Sequence, residues 1–226
     1  MHPFQFTLAL LEQTVKGAPR WFAEERRQSM LETLKAYEMN PTVGREELDN
    51  VIIAFGKEIW PYRKALATLH EKYAAPREEK YIRAALGQAL VGKFDTYLRE
   101  GNSITDFKQG KQFETFFTPD EQAEIVAKYL DAHDKVMDEF QSECMGPRLD
   151  ECNQLVEDFK NELPKIEDAI MRLSLLADES PKWRDEIMDK VRVFEEGWSG
   201  EEKDVTRETA EKEIEFYKDA IQGETE

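Results

Sequence analysis

Apolar residues recur every three or four positions along most of this chain and never alternate for more than a few residues, a pattern that predicts helices and no sheet. The clearest stretch is 118–177. Thr118 is placed to cap free N–H groups, Pro119 fits the first helical position, and Glu121 completes a capping box. Ile125/Val126, Tyr129/Leu130, His133, Val136/Met137, Phe140 and Cys144 then fall on one stripe. Beyond Met145-Gly146-Pro147-Arg148 a second stripe runs through Leu149, Cys152, Leu155/Val156, Phe159, Leu163, Ile166, Ile170, Leu173 and Ala177. The short connection predicts two long antiparallel helices.

The flanks read the same way. A helix is expected over 4–16, closed by Gly17, and another from near Pro19 through Trp21 and Phe22 to Met39, where Asn40-Pro41 ends it. From 45 to 73 the stripe is Leu48, Val51/Ile52, Phe55, Ile59, Tyr62, Leu66 and Leu69, with a kink or break predicted at Trp60-Pro61. Pro76 restarts a helix with Glu78 and Glu79 in its first turn, where the macrodipole favours acids, and Gly101 closes it. Residues 103–117 suggest two short helical turns and a loop. Ser180-Pro181 opens a helix to Glu196, with Trp183, Ile187, Val191 and Phe194 inward, and Thr206 caps a last one to Ile221. The fold class is therefore all-α: a helical bundle of about eight helices with a long central antiparallel helical hairpin at 118–177.

Composition narrows the class of molecule. Apolar and charged fractions of 40% and 35% fit a globular protein long enough to bury a core. No window approaches the ~18 apolar residues of a membrane span. The apolar run in 4–11 is broken by Gln5 and Thr7 and has no basic segment before it, so no secretory signal is expected and a cytoplasmic location is.

Charge is the informative quantity. The chain is −17 overall, but residues 1–117 hold 17 Lys+Arg against 16 Asp+Glu, whereas 118–226 hold 14 against 32. This divides the sequence into an aromatic-rich, near-neutral part, 1–117, and a strongly acidic part, 118–226, expected within one compact unit. Nucleic-acid affinity is built on cations that neutralise phosphates, so direct binding by the acidic part is not expected; a basic protein surface is the favoured partner.

Motifs for chemistry are sparse. Gly87 to Lys93 has the spacing of a phosphate-binding loop, but Phe94 stands where the metal-binding Ser or Thr belongs, and the segment lies in a helical pattern. Small residues permitting close helix packing are the plainer explanation. His133 sits on an apolar stripe, yet position 130 is Leu and position 67, before His70, is Ala, so neither histidine belongs to the Glu-x-x-His motif of carboxylate-bridged metal bundles. Cys144 and Cys152 flank the turn, where a disulfide is conceivable and buried free thiols are the commoner outcome. No catalytic residue, metal ligand or cofactor is assigned.

Three regions stand out as candidate binding surfaces. Trp60, Tyr62, Arg63 and Lys64 combine rings with cations, as do Phe107, Lys108 and Lys111. The acids Glu195, Glu196, Glu201, Glu202, Glu208, Glu211 and Glu215 concentrate charge near the C-terminal end. The expected function is a non-enzymatic protein-protein interaction module, adaptor or regulator, monomeric or homodimeric, whose acidic half meets a basic partner. The alternatives are a helical-bundle enzyme or a ligand or metal carrier with a pocket near Trp60 and His70 or around His133, and an acidic nucleic-acid mimic.

Overall fold

In a computed structural model, residues 3–39, 44–102, 112–197 and 205–223 are described, and among them all regular structure is helical, with no strand. In chain order come α1 (Pro3–Lys16), α2 (Glu24–Met39), α3 (Arg45–Leu69), a π-helical turn (His70–Ala74), α4 (Ala75–Ala85) and α5 (Gln88–Arg99). A short α6 (Phe113–Phe116) precedes α7 (Pro119–Cys144), α8 (Leu149–Glu179), α9 (Arg184–Gly197) and α10 (Arg207–Gly223). No described helix is long and apolar enough to cross a membrane.

By its contacts the chain divides into two compact units, unit 1 joining Met1–Leu66 to Leu149–Glu226 and unit 2 comprising Ala67–Arg148. This division runs elsewhere than the sequence split into 1–117 and 118–226, and the charge step falls inside unit 2. Burial of apolar side chains sets the packing, whereas net charge acts mainly on solubility and partners. The two long helices of the 118–177 region belong to different units. In unit 1, α8 packs against α9 and α10; in unit 2, α7 packs against α4 and the π-turn.

Unit 1 has two apolar clusters. One gathers Leu8, Leu11, Val15, Phe22, Met30, Leu34, Leu48, Ile52, Phe55 and Ile59 from α1, α2, the turn between them and α3. The other sets Trp60 among Ile166, Ile170, Leu173, Ala177, Ile187, Val191, Ile214 and Tyr217. Unit 2 is centred on Ile82, Phe94, Tyr97, Phe113, Phe117, Ile125 and Tyr129. Tyr97 is fully buried and meets Phe113, Phe116 and Phe117 edge-on at 5.4–5.7 Å between ring centroids. Burying a large apolar side chain of this kind is worth about 1.5–3 kcal/mol.

Several local expectations change. Pro61 does not break α3, which runs uninterrupted from residue 45 to 69, held on both sides of the proline by buried Ile59, Trp60 and Ala65. The predicted helix from Pro76 to Gly101 is two helices: buried Leu86 is extended (φ −83°, ψ 146°) and Gly87 caps the start of α5. α2 begins at Glu24 rather than near Pro19. The turn before it is organised by Arg27, whose guanidinium donates to the carbonyls of Val15, Lys16, Ala18 and Pro19 at 3.1, 3.1, 2.8 and 2.9 Å. Two of the three expected capped starts are present, and the helix expected from Ser180-Pro181 begins at Arg184 after a turn. Glu121 N–H donates to Thr118 Oγ1 while Thr118 N–H donates to Glu121, and Thr209 N–H donates to Thr206 Oγ1.

Candidate functional site

A concave surface of unit 1 is built on Trp60. The ring is nearly buried at the α3 end of the second cluster, with Phe159 of α8 edge-on to it at 5.8 Å and Lys64 Nζ 6.0 Å from its centroid. With Ile166 they floor a groove of about 530 Å³. Glu162 of α8 and Thr206, Arg207, Glu208 and Glu211 at the start of α10 complete its rim. The Thr206 cap fixes where α10 begins and therefore which acids reach the groove. Glu162 pairs with Lys165 at 2.5 Å and Glu208 with Lys212 at 2.9 Å, one helical turn away in each case. Such exposed pairs are worth only about 0.3–0.5 kcal/mol and exchange readily. Glu211 is held more firmly: the Arg172 guanidinium, with Arg207 behind it, keeps its carboxyl below the usual carboxylate range.

The groove thus unites parts of two regions singled out in the sequence, Trp60 and Lys64 with Glu208 and Glu211. The others do not converge on it. Tyr62 stacks edge-on against Phe22 at 5.0 Å in the first cluster, and Arg63 is half-buried outside the groove. Glu195 is half-buried and Glu215 exposed, neither lining it. Phe107, Lys108, Lys111, Glu201 and Glu202 lie outside the described residues, as does the side chain of Glu196.

Unit 2 holds a second constellation. In an uninterrupted α-helix the N–H of residue 76 would bond the carbonyl of residue 72, but Pro76 has no N–H and its ring clashes with that carbonyl. The chain accommodates it by widening one turn: Ala75 N–H donates to His70 O, five residues back. This turn places His70 beside Glu78 of α4, and α7 brings His133 to the same carboxylate. His70 Nε2 donates to Glu78 Oε1 at 3.0 Å and His133 Nδ1 donates to the same oxygen at 2.9 Å. The Glu78 side chain is only 5% exposed, the imidazoles 25% and 32%. Burial pushes the Glu78 carboxyl up, but hydrogen bonds from His133 and then His70 outweigh it and bring it to about 2, below its ordinary 4.5. Tyr129 Oη lies 3.5 Å from His133 Nδ1.

The sequence placed Glu78 in a helical first turn, where the macrodipole favours acids; the structure keeps it there and buries it as well. No spacing rule reveals this, because its partners lie eight and 55 residues away. The one pointer in the chain is Pro76, which forces the wide turn. Next to this group Glu143 accepts from Arg77 at 2.6 and 3.1 Å and from Arg148 at 2.8 Å, while Arg148 lies over the Tyr73 ring at 3.6 Å.

The remaining sequence candidates resolve simply. Lys93 donates to both oxygens of Glu121 at 2.7 and 2.8 Å, and a Cβ built on Gly87 or Gly92 would meet open space. Neither a phosphate cradle nor close helix packing explains those glycines. Cys144 and Cys152 are buried free thiols. Comparison with known proteins adds no relative: no family model, no curated protein and no solved structure matches this chain.

Proposed function

We propose that the protein is a protein-binding module in which the Trp60 groove of unit 1 receives an apolar side chain of a partner segment whose basic neighbours meet Glu162, Glu208 and Glu211. One observation carries this reading: an apolar floor of Trp60, Phe159 and Ile166 opens between acids contributed by two helices of the acidic half. Buried aromatic anchors ringed by polar groups are what binding hot spots use. Glu162 and Glu208 rest on weak local pairs, so an incoming Lys or Arg replaces a lysine that is lost at little cost. Excess negative charge on the same half steers such a partner electrostatically, which makes association fast and salt-sensitive.

Selection from a random-peptide display library against the whole protein tests this. The expected binders carry one aromatic or aliphatic anchor flanked by Lys or Arg, and the E162Q/E208Q variant binds them roughly tenfold more weakly, as two exposed charge contacts of about 0.2–1 kcal/mol each allow. Selected peptides without basic residues, or binding indifferent to both substitutions and to salt, would overturn it. The volume also lies in the range of small-molecule sites, about 300–1,000 Å³. A library that yields nothing, beside saturable binding of an apolar dye lost on F159A, turns the reading to a small apolar ligand.

A further inference from the structure

We propose that His70, Glu78 and His133 of unit 2 form a binding site for one divalent transition-metal ion of the zinc or iron(II) class. The inference is independent of the Trp60 groove. Each of the three residues offers one ligand atom, and these atoms all lie within 4.8 Å of one another. Two imidazoles and one carboxylate are a ligand set that suits zinc and iron(II), and three protein ligands leave a coordination position for water.

The carboxylate-to-imidazole spacing fits with little movement, and the two ring nitrogens, within 4.8 Å of each other, would close to about 3.0–3.4 Å on a shared ion. The two nitrogen-to-oxygen separations, 2.9 and 3.0 Å, match the edge of an octahedron with bonds of about 2.1 Å, and lengthening them to about 3.4 Å gives tetrahedral zinc. Both imidazoles reach the surface while the carboxylate does not, so an ion enters from the histidine side. The three ligands come from three separate elements, the π-turn, α4 and α7, so their convergence is a product of the fold and not of a local sequence run.

Electrostatics favours an ion at this place. A nearly buried carboxylate is costly unless a charge or several hydrogen bonds compensate it. The hydrogen-bond partners of Glu78 are the His70 and His133 imidazoles. A divalent cation would set a full charge against the buried carboxylate, and each ring would need only to present the lone pair of its facing nitrogen in place of an N–H. π-Helical turns are rare and recur at functional sites, in keeping with one of them carrying a ligand here.

Zn²⁺ titrated calorimetrically into the chelator-stripped full chain tests the proposal. One ion per chain is expected with a micromolar or tighter Kd. H70A and H133A, each checked for unchanged helicity, should weaken it roughly 100-fold, about 2.7 kcal/mol. E78Q, which keeps the side-chain size and hydrogen-bonding capacity but not the charge, should weaken it as well, and H2A, replacing the chain's third histidine, should not. Should the alanine variants lose helicity, X-ray absorption of the wild-type zinc complex counts imidazole ligands directly, two being the expected number. Absence of binding, an affinity untouched by H70A and H133A, or a bound ion without imidazole ligands would overturn the assignment.

Discussion

Replacing Arg27 by alanine should destabilise unit 1 by about 3 kcal/mol. The guanidinium satisfies four carbonyls at the end of α1 and in the turn that follows, at 2.8–3.1 Å. Two of these, Val15 and Lys16, belong to the last turn of α1, where carbonyls have no partner inside the helix. A hydrogen bond to a charged group contributes about 1.5–3 kcal/mol, so the four would sum to about 6–12 if each counted in full. They do not. The contact to Lys16 is exposed, water reaches part of the freed turn, and the truncated side chain no longer gives up its ~2 kcal/mol of rotamer entropy. About 3 kcal/mol is left once these are discounted, consistent with a side chain that is only 11% exposed. Arg27→Lys, which keeps the charge but reaches one or two carbonyls, should cost about 1–2 kcal/mol. All four tryptophans, at positions 21, 60, 183 and 198, belong to unit 1, so urea unfolding followed by their fluorescence reports this unit selectively. A midpoint within about 0.5 kcal/mol of wild type for Arg27→Ala, at unchanged m-value, would refute the role given to this side chain.

Two further outcomes follow from unit 2. Gly92 lies in α5 with open space around the position of a Cβ, so Gly92→Ala should stabilise the protein by about 0.5–1 kcal/mol through helix propensity; a loss of stability in thermal unfolding would show that the helix surface is covered after all. Arg77, with Arg148 second, brings the Glu143 carboxyl from its ordinary 4.5 to about 2. A lowered folded-state pKa means a contribution fully present above about 4.5 and lost as the pH falls towards 2, so the stability gap between wild type and Glu143→Gln should close across that window. A gap constant with pH in urea melts followed by circular dichroism would exclude the ion pair as its source.

Helices were readable because their signals are local. The capping box at Thr118 and the stripe through Ile125, Tyr129, Val136, Phe140 and Cys144 depend on residues three or four apart, and all five stripe residues are buried. Doublets hid the finer answer: Ile125 is fully buried while Leu130, equally apolar, is 47% exposed. The groove was half visible, since Trp60 and Lys64 adjoin in sequence but their meeting with Glu208 and Glu211 depends on α8 packing against α10. Glu78 was invisible in its role. An acid in a helical first turn has a sufficient local explanation, and only the arrival of His133 from α7 replaces it.

Unit 1 is discontinuous in the chain, and this shapes how the protein can be made. Residues 1–66 leave the ribosome 82 residues before the first of their partners in 149–226. Unit 2 is contiguous and has everything it needs earlier, so it can close while Trp60 of α3 waits for its partners on α8, α9 and α10. Once closed, its entry and exit are near one another, because Arg148 sits on the Tyr73 ring. An 82-residue loop then acts as a tether of roughly ten residues, which lowers the entropic cost of joining the two parts of unit 1 by about 2 kcal/mol. The inserted unit is in this sense a folding clamp, and cutting the chain within 67–148 should slow the assembly of unit 1 without removing a single one of its own contacts.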